Sequence, residues 1–231
     1  GYRDFLAIAF PLILSTASWS VQHFVDRVFL AWHSTHSMAA ALPAGISNFV
    51  FVSFFLGLAG YVNTFVAQYV GARRFEKVGA SLWQGAYLSL AAGCAGLGLI
   101  PLAQPLFDFI GHEPAIRSEE IIYFRVLCFG TFPFVMSTVL SCFYSGRGRS
   151  WMVLVVNVAT TCVNIGLDYA LIFGHWGFPA WGIRGAAWAT NLAALFSALL
   201  FAVLIAQRKN REQFGTLRRW RFEPDLFRRL L

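Results

Sequence analysis

Charge is what this sequence has least of. Only 13% of its 231 residues are Asp, Glu, Lys or Arg, about half the share of soluble domains. Cysteine is scarce too: Cys94, Cys128, Cys142 and Cys162 all fall within apolar runs and have no metal-ligand spacing, which argues against a disulfide framework or zinc site. They read as small buried hydrophobes. No nucleophile with its base, no glycine-rich phosphate loop and no metal-ligand cluster is found, so neither an enzyme nor a bound cofactor is expected. A net charge of +7 could suggest nucleic acid. That reading needs a basic face on a folded domain, and these cations lie between apolar runs, so no nucleic-acid partner is expected.

What is abundant is apolar: 58% hydrophobic residues, with 24 Phe and 8 Trp. Spanning a bilayer takes about 20 predominantly apolar residues. Six stretches qualify, at about 7–32, 44–70, 80–100, 121–145, 151–174 and 185–207. The sequence therefore predicts an all-α, polytopic membrane protein with a six-helix bundle over 1–207. The first run is long enough to act as an uncleaved anchor. Pro43, Gly71, Gly79, Pro101, Pro105, Gly146, Gly148, Gly177, Pro179 and Gly182 punctuate the linkers. Gly57, Gly60, Gly93, Gly96 and Gly98 read as close-packing points, and Pro11 and Pro133 as candidate kinks.

Orientation follows from Lys and Arg. Arg3, Arg73, Arg74, Lys77, Arg147, Arg149 and the cations of 208–229 fall on one side, against Arg117 and Arg184 on the other. The positive-inside rule then places both termini in the cytoplasm of a cell whose inner (plasma) membrane holds the chain. Residues 208–231 mix those cations with Phe214, Leu217, Trp220, Phe222, Leu226 and Phe227, which predicts a basic cytoplasmic linker lying partly as an amphipathic helix on the lipid surface.

Acidic residues sort as sharply. Asp4, Glu76, Asp108, Glu113, Glu119, Glu120, Glu212, Glu223 and Asp225 are assigned to loops and ends, leaving Asp26 and Asp168 inside spans. A carboxylate there costs at least about 2.5 kcal/mol on insertion scales, and such groups face a protein interior, cavity or ion path. Asn157, Thr161, Asn164 and Asp168 recur at helical spacing, as do Ser15, Ser18, Gln22 and Asp26. Each set forms a polar stripe down one apolar helix, and the two can meet. At about 1.5 Å per residue, Asp26, Asp168 and Thr190 all lie about 9 Å below the outer boundary. Two carboxylates, an amide and a hydroxyl would make an oxygen-rich pocket for a small cation or shared proton. Plainer readings pair Asp26 with Arg27 or Arg125, and treat Asn164 and Thr190 as interhelical hydrogen-bonding groups. His23 is left outside the site.

Several segments resemble one family. Pro11, Val25-Asp26-Arg27-Val28-Phe29, Ala39-Ala40, Ala67-Gln68-Tyr69-Val70-Gly71-Ala72, Ser145-Gly146-Arg147-Gly148-Arg149, Asn164-Ile165-Gly166-Leu167-Asp168, Leu171-Ile172-Phe173-Gly174 and 182–190 look like multidrug and toxic compound extrusion (MATE) transporters, in order. The resemblance covers the whole chain but half of such a transporter, whose twelve helices form two six-helix lobes related by pseudo-twofold symmetry. It implies an amino-terminal lobe, with a linker at 208–231 leading toward a second lobe. Asp26, Asn164, Asp168 and Thr190 then correspond to the cation-coupling site, for a proton or a sodium ion, with Gln22, Asn157 and Thr161 as cavity-lining candidates. The implied function is secondary antiport: amphipathic, often cationic organic compounds leave in exchange for protons or sodium. The alternatives are a lipid-linked-precursor flippase, for which a cationic cavity is expected, and a non-transporting membrane scaffold.

Overall fold

The computed structural model describes residues 2–216 and 220–230, with side chains described from residue 9 onward. Leu217, Arg218, Arg219 and Leu231 of the basic tail lie outside the described residues. Ten α-helices and no strand are found among the described residues. The first six are α1 (Tyr2–His33), α2 (Thr35–Gly71), α3 (Phe75–Leu99), α4 (Ala103–Ile110), α5 (Pro114–Phe129) and α6 (Thr131–Ser145). Then follow α7 (Ser150–Phe173), α8 (Ile183–Ala206), α9 (Arg208–Phe214) and α10 (Pro224–Arg228). α1 packs along α7 and α7 along α8, while α2 lies against α3, α5 and α6. Two apolar cores result: one holds Val62, Val78, Phe143, Phe201 and Phe214, the other Leu30, Ala44, Phe107, Phe124 and Ile172.

Four helical stretches are long and apolar enough to cross a membrane, and the bent pair α5–α6 makes a fifth. α1, whose first residues lie outside the described side chains, does not enter that count. The expected linker residue Pro43 is inside α2, which begins at Thr35 after a single-residue turn. Ser34 caps it by accepting from the His36 and Ser37 amides, which satisfies donors that a helix start leaves open. Proline is tolerated within a spanning helix, and α2 runs through Pro43 to Gly71 without a break. Pro101 likewise lies in a 3-10 turn and Pro105 within α4.

The stretch expected as one helix over 121–145 is broken, with a 47° bend at Gly130. Pro133 cannot donate to the carbonyl four residues back. One turn earlier the Gly130 amide turns to the Leu127 carbonyl at 2.9 Å, and the Val126 carbonyl it would otherwise bond is taken by Asn191 Nδ2 at 2.6 Å. A side chain from α8 therefore holds the bend open. Pro11, by contrast, lies within one uninterrupted α1.

The readings of the cysteines and of Glu120 need correction as well. Cys94 and Cys162 are exposed, whereas Cys128 and Cys142 are buried. Glu120, assigned to a loop, is fully buried in α5 and bonds His112 Nδ1 at 2.7 Å. Of the packing glycines, Gly93 and Gly96 meet α5–α6, where added Cβ atoms would lie 2.7 Å from Phe132 and 2.6 Å from Thr131. Gly57, Gly60 and Gly98 have open space.

The basic tail folds back on the bundle. Trp83 Nε1 donates to the Thr216 carbonyl at 2.8 Å, buried Gln84 bonds the backbone of Arg221 and Glu223, and Lys77 pairs with Glu223 at 3.3 Å. Phe214, Leu226 and Leu230 are buried rather than spread on lipid, while Trp220 and Phe222 stay exposed. Phe214 also closes a cage over Arg147, whose guanidinium lies 3.9 Å from the Phe143 ring centre and 4.6 Å from that of Phe214. Burial pulls the Arg147 guanidinium down to about 10, so it remains charged at neutral pH. A Cβ at Gly79 would lie 2.7 Å from the Phe214 carbonyl oxygen. Gly79→Ala should therefore detach this strap. Burying a Phe stabilises by about 1.5–3 kcal/mol, so trypsin cleavage within 208–221 should accelerate about tenfold, with unchanged cleavage as the contrary result.

Candidate functional site

Between the two apolar cores lies a cavity of about 810 Å³ lined from α1, α2, α5, α6, α7 and α8. Its wall holds the α1–α7 interface, where the two polar stripes run side by side. Asn157 Nδ2 donates to Ser15 Oγ, and the Ser18 and Thr161 hydroxyls bond at 2.9 Å. The next rung is Gln22 with Asn164, and the last is Asp26 with Asp168. Polar groups placed in two apolar helices satisfy one another, and this fixes the register of the pair.

At the top of this ladder the Asn164 amide nitrogen donates to Asp26 Oδ1 at 3.0 Å and to Asp168 Oδ2 at 3.2 Å, and lies 3.3 Å from the Gln22 amide. That orientation is dictated by the neighbours, since two carboxylate oxygens need a donor between them. The carboxyl groups are also within hydrogen-bonding reach of each other. A bond between two carboxyl groups requires that at least one carry a proton. Asn164 and Asp168 are fully buried, while Gln22 and Asp26 are each 6% exposed. Asp168 Oδ1 has no hydrogen-bond partner among the described residues. A buried, unpaired carboxylate oxygen is costly unless something neutralises it. The donor set fits a proton or a hard monovalent cation.

Other expected members stand further off. Thr190 lines the cavity, but its hydroxyl bonds its own helix at the Ala186 carbonyl, 3.1 Å away. Gln22, Asn157 and Thr161 also line the cavity. Asp168 and Asn164 lie behind the wall, and Asp26 is the carboxyl group that reaches the open space. Neither Arg27 nor Arg125 forms an ion pair with Asp26 among the described residues. Sequence reasoning missed Tyr123, which projects from α5 into the cavity within electrostatic range of both carboxyl groups. A tyrosine in a helix that also carries Arg117, Glu119, Glu120 and Arg125 gives no signal of this. Asn191, which holds the bend, was signalled only by its polarity within an apolar run.

A ladder of buried polar pairs ending in a carboxyl pair thus runs along the wall of a large cavity among apolar helices. The family model described as MatE matches residues 11–170, and the chain belongs to this family of multidrug efflux transporters. It is 28% identical over 207 residues to the multidrug resistance protein PmpM of Pseudomonas aeruginosa, covering 87% of this chain and 43% of that protein. It is 30% identical over 212 residues to the probable multidrug resistance protein NorM of Thermotoga maritima, covering 90% of this chain and 45% of that one. A solved MATE transporter of the MOP superfamily in its outward-facing conformation superposes with a TM-score of 0.85 at 22% identity, covering 99% of this chain and 50% of the other. A MATE structure in complex with MaL6 gives 0.87 at the same identity, covering 99% of this chain and 50% of the other. The chain spans about half the length of the curated relatives it matches, and its fold is one lobe of such a transporter. Members of this family are transporters, not enzymes, and need no cofactor.

Proposed function

We propose that this chain forms the amino-terminal lobe, over 1–207, of a secondary antiporter that exports amphipathic organic compounds in exchange for protons or sodium. The observation that carries this reading is the Asp26–Asn164–Asp168 cluster, in which Asp26 reaches the cavity and one carboxylate oxygen of Asp168, behind the wall, is unpaired among the described residues. Loading that oxygen with a proton or sodium ion neutralises the pair and favours one packing of α1, α7 and α8. Release favours another, and the shape of the cavity changes with it. Alternating access then needs a second six-helix lobe against which this one rocks. The region from 208 onward acts as the linker toward that lobe. A carboxyl pair held this expensively inside a bilayer has no use in a passive scaffold.

The experiment is efflux from everted vesicles carrying the complete transporter, with sodium and proton gradients imposed separately. One gradient should drive export and the other should not. Export indifferent to both would defeat the antiport reading.

The same reading sets the chain in the inner (plasma) membrane with both termini cytoplasmic. In a functional background free of other accessible thiols, Ser34→Cys and Trp176→Cys should react with an impermeant thiol reagent added outside. Arg74→Cys and Arg149→Cys should not. The reverse labelling pattern would invert the topology.

A further inference from the structure

The ionisable groups that line the cavity nearest α1 are His23, Asp26 and Arg27. Asp26 is engaged by Asn164 and lies against Asp168. Arg27 is exposed and forms no hydrogen bond or ion pair among the described residues. A cation within a spanning segment is costly and is normally paired or functional. His23 lies four residues before Arg27, on the same face of α1. Trp19, one further turn down, meets the His23 ring edge-on at 4.7 Å and reaches Phe49 of α2 at 6.3 Å. The α1 wall thus presents aromatic rings at the level of Trp19 and, about two turns away, a guanidinium with no hydrogen bond or ion pair among the described residues.

We propose that Arg27, with His23 beside it, is a binding subsite for an anionic group on the transported compound, so that the cavity accepts amphipathic acids and zwitterions. The group is a carboxylate, sulfonate or phosphate, which a guanidinium holds through two parallel hydrogen bonds. Trp19, Phe49 and Phe24 receive the apolar body. This rests on the transport reading above and refines its substrate class: beside the Asp26 carboxyl group the cavity wall carries a guanidinium with no ion pair among the described residues. The carboxyl pair serves the ion, and the guanidinium serves the substrate.

The test uses two dyes on one xanthene frame, anionic fluorescein and cationic rhodamine 123. Binding to the complete transporter in detergent is followed by fluorescence polarisation without any gradient. Wild type should bind fluorescein. Arg27→Gln should weaken that binding at least about tenfold, the usual consequence of losing a hydrogen-bonded charge partner, with rhodamine 123 affinity changed by less than about threefold. Arg27→Lys should recover most of the loss. Unchanged fluorescein affinity in Arg27→Gln overturns the proposal. So does an equal loss for both dyes with a lowered melting temperature, which would assign Arg27 a structural role or a partner in the second lobe. The Arg27→Gln loss is read without any gradient, so a failed exchange assay alone would remove the coupling reading and leave this one standing.

Discussion

Asp168→Asn should abolish gradient-driven efflux by the complete transporter while leaving its insertion and amount in the membrane unchanged. Asp168 is fully buried, bridged by Asn164 to Asp26, and carries an oxygen with no partner among the described residues. An amide of the same shape keeps the packing of α1 on α7 but neither gains nor loses a proton, and it is a poorer ligand for a cation. The pair would be fixed in one charge state. Coupling between two ligands is typically worth 5–150-fold in affinity, or about 1–3 kcal/mol, and that difference is what the gradient works through. Asp26→Asn should behave alike. Asn164→Ala and Thr190→Ala should have smaller effects, Thr190→Ala the smaller, because its hydroxyl is bonded to its own helix. Efflux by Asp168→Asn with unchanged pH and sodium dependence would move the coupling site elsewhere.

Gly185→Val should be the most damaging substitution outside the site. Gly185 is at the start of α8, where an added Cβ would strike the Leu171 carbonyl of α7, lying 2.6 Å from its carbon and 3.0 Å from the Ile172 nitrogen. These are backbone atoms of a helix that cannot yield locally. The nearby chain is fixed as well, since Trp181 and Gly182 donate to the Leu171 and Ile172 carbonyls. Overpacking of a core costs about 1–3 kcal/mol, and a branched side chain against backbone belongs at the upper end. The expected result is a fall of several degrees in melting temperature in detergent, with loss of transport. A Gly185→Val protein of wild-type stability would mean that α7 and α8 are not packed this closely.

The two polar stripes of the candidate site were legible because membrane burial makes polarity conspicuous. Helical spacing of four groups in each of two apolar runs was enough to align Asn157, Thr161, Asn164 and Asp168 against Ser15, Ser18, Gln22 and Asp26. Spacing says nothing of which rung bonds which, nor that Thr190 turns to its own backbone. Proline misled where it normally informs: Pro43 is inside α2 because a proline is tolerated within a long spanning helix. Glu120 misled because it stands among charged neighbours, and only the fold buries it against His112. The bend at Gly130 depends on Asn191 from a helix some sixty residues later, and the docking of the tail depends on Trp83 and Gln84. Contacts between distant segments leave no local pattern to read.

The central claim is that the Asp26–Asn164–Asp168 cluster exchanges an ion against the substrate. Linkage requires that each alter the other's affinity by the same factor. The most direct measurement adds substrate to the purified complete transporter in weakly buffered solution, while a pH dye and a sodium electrode record what is released. The account predicts release of protons or of sodium by wild type, saturating with substrate, and none by Asp168→Asn. Substrate binding with no release of either ion by wild type, or equal release by Asp168→Asn, would contradict it.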